Sequence, residues 1–298
     1  MAKDIIGRYI WIVDTILRHG RISKKELNSL WLKSQYSEGN PLADRTFFHY
    51  RRGIEESFNI DIVCSRDGYY SIDADSSPHV RQFTDWILNS SATTSALFEL
   101  GTSTGRIELE DIPSAREYLP VVAEAMHKSQ KIVFTYAGFS RSRPEVGILF
   151  SPYFLKLYKQ RWYMFGEKDG SGKRTYALDR VTEMEITDSR FRMPSGIRAS
   201  DFFGNIIGIT TSKADIRDVR IQTTLTRAKY LRALPLHPSQ QEEVHDFYSV
   251  FSYKLKLNYE LVSELLSMGP DVTVISPREL QVMLIDRLRE TLANYRQN

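Results

Sequence analysis

Two hydrophobic periods organise the start of the chain. Ile6, Tyr9, Ile10, Val13 and Leu17 recur at helical spacing, and Gly20 follows as a stop. Ser23 and Glu26 form a capping box ahead of a short helix carrying Leu27, Leu30 and Trp31. A polar loop then leads into "ADRTFFHYRRGIEESF". There Phe47, Ile54 and Phe58 make an apolar stripe, with Tyr50 or Arg51 near its seam. The period then changes to two. Ile60, Ile62 and Cys64 alternate, Asp67-Gly68 marks a tight turn, and Tyr70 and Ile72 alternate back. "SIDADSSP" reads as a linker, and Val80, Phe83 and Ile87 predict a connecting helix over part of 76–112.

The middle of the chain is dominated by strands. Ser114 and Glu117 suggest a second capping box, with Leu119, Val122, Ala123 and Met126 as the apolar face of its helix. Five strand-like runs follow between 113 and 192, joined by tight turns, a pattern that suggests a small barrel. "DGSG" at 169–172 reads as a hairpin turn. It is not a phosphate-binding loop, because Glu167 stands where the first glycine is required and Arg174 where a Ser or Thr would meet magnesium. Residues 193–215 read as a connector. Beyond them, strands and helices alternate over 216–298 as a small α/β sandwich, with helices at 259–267 and 277–295. The whole chain is therefore expected to be α+β.

Three short helices and a hairpin over 1–75 have the order of a winged helix-turn-helix. Its third helix would enter the major groove and its hairpin would serve as the wing. Arg45, Thr46, His49 and Arg52 of that helix, and Arg66 at the hairpin tip, are the candidate contacts to a double-stranded DNA operator. A small helical domain with a solvated basic face is the competing interpretation. Charge sharpens the choice only slightly. The chain is formally +3, and residues 1–75 hold 11 basic and 11 acidic side chains. The excess lies in 121–192, with 13 basic and 8 acidic side chains, which favours an anionic partner there.

Several classes find no support. No apolar run approaches the ~20 residues that span a bilayer. Lys3, Asp4 and Arg8 interrupt the N-terminus where a signal peptide needs apolar residues, so a cytoplasmic protein without a membrane partner is expected. Cys64 is the one cysteine, which excludes an intrachain disulfide. The six histidines show no metal-ligand spacing, and no G-x-S-x-G elbow occurs. The expectation is no metal, no cofactor and no catalytic residue. A nucleic-acid-processing enzyme and an adaptor without sequence-specific DNA binding remain as alternatives. His237, in a turn, is expected to be structural or interfacial.

"SPYFLKLYKQRWYMFGE" followed by "RTYALDRVTEMEIT" resembles the WYL domain, named for a Trp-Tyr-Leu triplet that here is Trp162-Tyr163-Met164. Tyr136, Arg143, Pro152, Arg174, Leu178, Asp179 and Arg180 fall where the pattern of that family would place them. The flanks resemble the winged helix and the C-terminal extension of WYL transcriptional regulators. The resemblance implies an Sm-like, SH3-type β-barrel over 113–192 whose pocket senses a nucleotide or short nucleic acid, within a homodimeric regulator. Arginine forks match phosphate, and tyrosine offers a stacking face and a hydroxyl. On that basis Tyr136, Arg143, Lys156, Arg174, Tyr176 and Arg180 are the candidate ligand residues. Trp162 and Tyr163 are expected to pack the barrel, and Asp179 and Arg180 to pair at a strand end.

Overall fold

A computed structural model describes residues 5–34, 36–58, 60–72, 115, 117–139 and 142–296. The expected connecting helix around Val80, Phe83 and Ile87 lies outside them. The chain falls into two compact units, Met1–Leu109 and Glu110–Asn298. Its described elements are α-helices and three antiparallel sheets, an α+β fold.

The N-terminal unit runs α1 (Ile5–His19), β1 (Ile22–Ser23), α2 (Lys24–Leu32), α3 (Asp44–Phe58), β2 (Ile62–Cys64) and β3 (Tyr69–Ile72). The strands pair in the order β1-β3-β2. The capping box forms at the start of α2: Ser23 Oγ accepts from the Glu26 amide at 3.3 Å, and Glu26 accepts from the Ser23 amide at 3.0 Å. The seam of α1 is rotated from the expected one. Tyr9, Ile12, Val13 and Ile16 are buried, whereas Ile6 and Leu17 face solvent. Ile12 and Ile16 sit one turn apart, and the helices and sheet behind α1 select that narrower stripe. Leu27, Trp31, Phe47, Tyr50, Ile54 and Ile62 complete the core. Gly53 permits the close contact of α3 with α1, since a Cβ there would lie 2.0 Å from the Tyr9 hydroxyl.

The second unit opens with α4 (Leu119–Lys128), then β4 (Gln130–Tyr136), β5 (Glu145–Tyr158), β6 (Arg161–Lys168), β7 (Gly172–Ala177), a 3-10 turn (Leu178–Arg180) and β8 (Val181–Arg190). The second capping box does not start α4. Tyr118 is its N-cap, without a side-chain cap bond, Pro120 occupies the first turn, and Ser114 lies outside the described residues. Proline needs no amide partner there and its fixed φ suits a first turn. The five strands pair in the order β7-β6-β5-β4-β8. Among the described residues the pairing leaves β7 and β8 as edges, so the sheet is not a closed barrel. Two hydrogen bonds link the end of β4 to the end of β7 and to the 3-10 turn that precedes β8. The Tyr136 hydroxyl accepts from the Ala177 amide at 3.4 Å, and the Ala137 amide donates to the Arg180 carbonyl at 3.0 Å. Pro152 sits at a bulge of β5 opposite Gly166, where a Cβ would lie 2.0 Å from the Ser151 carbonyl oxygen. Phe134, Phe150, Met164, Tyr176 and Leu178 form the core of this sheet, with Val122 and Ala125 of α4 against it.

After α5 (Ala199–Phe203) come β9 (Arg217–Thr224), α6 (Leu225–Ala233), β10 (Gln241–Val244), β11 (Tyr248–Leu255), α7 (Tyr259–Ser267), β12 (Val272–Ser276) and α8 (Arg278–Arg296). The sheet order is β10-β11-β9-β12. β9 buries Val219, Ile221 and Thr223 and exposes Arg220 and Gln222, the alternation of a sheet covered on one side. Leu231, Leu261, Leu265 and Leu280 from α6, α7 and α8 fill the covered face. β10, "QEEV", was not expected from the sequence because it carries almost no apolar signal.

α5 and α7 join the two sheets of this unit. Phe202 and Phe203 pack on Phe165, with ring centroids 4.7 and 5.4 Å away. α7 offers two carboxylates one turn apart. Glu264 meets Lys159 Nζ at 2.5 Å and the Tyr158 hydroxyl at 3.4 Å. Glu260 accepts from the amides of Ile209 and Thr210 at 3.1 and 2.9 Å. Gly208, at φ +78°, makes room for it: a Cβ there would meet the Glu260 side chain at 2.4 Å.

Candidate functional site

On α3, the sequence-predicted residues Arg45, Thr46, His49 and Arg52 all face solvent, while Phe47, Tyr50 and Ile54 anchor the opposite side. Arg51 turns inward, donating to the Ile62 carbonyl and lying over the Tyr70 ring at 5.4 Å. Arg52 Nε pairs with Glu56 at 2.9 Å on the exposed surface. Arg66 is exposed in the β2–β3 turn, which Gly68 closes at φ +81°. A cation missed by sequence reasoning stands at the same hairpin. Arg21 lies over the Tyr69 ring at 4.3 Å and pairs with Asp67 at 2.8 Å. Only the fold brings it there, across more than forty residues of chain.

The six candidate ligand residues separate into groups. Tyr136, Tyr176 and Arg180 come together at the end of β7. Tyr176 is buried, with edge-to-face ring contacts to Tyr136 at 4.8 Å, Phe134 at 5.1 Å and Phe150 at 5.3 Å. Asp179 does not pair with Arg180. It takes a two-point contact from Arg161, with Nε at 3.3 Å and a shorter contact from the second nitrogen. That hydrogen bond holds the Arg161 charge more firmly than usual. One carboxylate thus neutralises Arg161, and among the described residues no carboxylate pairs with Arg180. The Arg180 guanidinium lies 3.5 Å from the ring centroid of Phe139, which is 83% exposed. Its Nε is buried without a hydrogen-bond partner. The Tyr163 hydroxyl is near both arginines; burial raises its pKa and the two cations oppose the rise. The arrangement sets a guanidinium without a carboxylate partner among the described residues beside an exposed aromatic ring. Arg161 and Phe139 are its members that sequence reasoning missed.

The other three residues lie elsewhere. Lys156 pairs in register with Tyr163, whereas Tyr176 pairs with Met164. Lys156 and Tyr176 therefore occupy opposite faces of the sheet. Lys156 Nζ lies 4.5 Å over the Phe203 ring, and burial pushes its pKa down to about 8 against the pull of Glu260. Arg174 is exposed near the start of β7 and donates to the Lys173 carbonyl at 2.8 Å. Arg143 is exposed just before β5. His237 is buried and satisfied: its Nδ1 accepts from the Ser239 amide at 3.1 Å, so Nε2–H donates to the Gly204 carbonyl at 2.7 Å. It is structural.

A family model for the WYL domain matches residues 117–186, and one for the WCX domain matches residues 215–292. The chain carries a WYL domain followed by a WCX domain. The Tyr136–Arg180 cluster lies within the WYL match, and α7 and its two carboxylates lie within the WCX match. Among solved structures, proteasome accessory factor B/C (PafBC) of Arthrobacter aurescens is 21% identical, over 95% of this chain and 46% of that one, with a TM-score of 0.36. A CRISPR Cas-related protein is 15% identical, over 60% of this chain and 51% of that one, with a TM-score of 0.26. The chain spans about half the length of these two structures. No curated protein matches it. Among the described residues no helix is long and apolar enough to cross a membrane, and no group of three His, Cys, Asp or Glu side chains could hold a metal ion.

Proposed function

We propose that this protein is a DNA-binding transcriptional regulator whose WYL domain senses a phosphate-bearing ligand, either a nucleotide or a short single-stranded nucleic acid. One observation carries the proposal. The helix α3, third in an order of three helices and a hairpin, buries one side and presents Arg45, Thr46, His49 and Arg52 on the other. We read this unit as a winged helix, with α3 in the major groove and Arg66 at the wing meeting phosphate. Arg45, Thr46 and His49 lie on the N-terminal half of α3, the half such helices turn toward base edges, and Arg52 follows just past its middle.

We read the five-stranded sheet as an Sm-like, SH3-type barrel that opens between β7 and β8, where Arg180, Phe139 and Tyr136 gather. A phosphate would pair with Arg180 and a base would stack beside it on Phe139. The ligand acts on DNA binding to the extent that it favours one arrangement of the reading helices. A homodimer reading paired half-sites and acting in the cytoplasm completes the proposal.

The test is selection of bound duplexes from a random pool by the full chain, with and without nucleotides and short oligonucleotides. One enriched motif, with enrichment that responds to an added ligand, is the expected result. A pool without enrichment rejects the regulator, and turnover of nucleic acid in the presence of a divalent metal would indicate an enzyme instead.

A further inference from the structure

Phe48 has no place in the core, yet it is large, apolar and 66% exposed. Its neighbour Phe47 fills the core position of this turn, against Tyr70 at 4.9 Å. Along α3, Phe48 follows Arg45 by three residues, precedes Arg52 by four and adjoins His49. At 3.6 residues per turn these four side chains fall within about 100° of arc. Phe48 therefore stands beside Arg45 and Arg52 on the outward face, ahead of the acids Glu55 and Glu56, while the first-turn acid Asp44 is paired with Lys24 at 3.1 Å. A partner drawn to that face is negatively charged. The same partner must also offer an apolar group to cover the ring. Duplex DNA does both, because the thymine methyl is the apolar group that the major groove displays.

We propose that Phe48 reads sequence by packing on the 5-methyl group of a thymine, so that it sets the base preference at one operator position. The proposal rests on the DNA-reading role of α3 given above. It differs from that role in the chemistry used. Arg52 engages Glu56 through Nε and keeps its terminal nitrogens for hydrogen bonds to a base, whereas Phe48 offers an exposed apolar ring and no hydrogen bond.

The test replaces each thymine of the selected operator in turn with deoxyuracil, which lacks the methyl and keeps the same hydrogen-bonding groups. Wild-type protein should bind about threefold to fivefold more weakly at one thymine position, the effect of uncovering a single buried methyl. Phe48→Ala should bind the thymine and uracil duplexes equally, with an unchanged dependence on salt. Equal wild-type affinity for every uracil duplex overturns the proposal, as does a Phe48→Ala variant that still prefers thymine. A Phe48→Ala variant that keeps the preference but changes oligomeric state assigns the ring to a protein contact instead. If no operator can be selected at all, the DNA-reading role itself fails and Phe48 falls with it, an outcome distinct from selection without methyl discrimination.

Discussion

Arg161, Asp179 and Arg180 show how one carboxylate decides what two cations can do. Asp179 is nearly buried and committed to Arg161, so Arg161→Ala should cost stability, about 1–3 kcal/mol for the acceptor left unpaired. Arg180→Ala should leave the fold intact and weaken binding of nucleotides or short oligonucleotides to the full chain by roughly tenfold to a hundredfold, the weight of a charged hydrogen bond. Thermal unfolding and calorimetric titration on both variants separate the two roles. Equal ligand affinity in Arg180→Ala would reject the phosphate site. Lys156 makes a different prediction. Its pKa falls from 10.5 to about 8 on folding. Below about pH 8 both states are protonated and the folded protein bears the full cost of burying the ammonium. From there to 10.5 the unfolded chain holds more protons, so stability rises with pH. Lys156→Met should therefore stabilise the protein at neutral pH by on the order of 1–2 kcal/mol, discounted for the partial exposure of the site. Its advantage in melting temperature should shrink as pH approaches 10.

The α3 helix carries the prediction at the scale of elements. Arg52→Ala and His49→Ala should each weaken operator binding, by roughly 1–3 kcal/mol where a base contact is lost, without lowering the melting temperature. Unchanged operator affinity in both variants would rule out α3 as the reader. The helices were largely legible from sequence because a buried stripe repeats every three to four residues, as Leu261, Val262 and Leu265 do on α7. The long strands were legible from runs such as "GILFSPYFLKLY". Less was legible where the cause lies across the fold. The Asp179 partner is eighteen residues away on β6, so adjacency in the chain pointed to the wrong arginine. Lys156 and Tyr176 look alike as ligand candidates in the sequence, and only strand register puts them on opposite faces. Strand spacing suggested a barrel but does not say whether the last strands pair. The charged β10 has no pattern of its own and is held by its neighbour β11.

At the scale of the whole molecule, charge predicts a measurable behaviour. Residues 1–75 are neutral in total, so DNA affinity should depend on a few placed cations rather than on a general field. The slope of log affinity against log salt should be shallow, and Arg66→Ala should reduce it by about one. A slope unaffected by that change would remove the hairpin from the interface. The two carboxylates of α7 bear on how such proteins can be recombined. A chimera joining this WYL sheet to another WCX domain must supply an acid at the positions of both Glu260 and Glu264. Without them Lys159 loses its counter-ion and the backbone amides of the connector lose their acceptor. Gly208 has to be inherited together with Glu260, since any larger residue there would push the carboxylate away. The heritable module is therefore both domains with the connector between them, and a crossover inside 193–260 would split it.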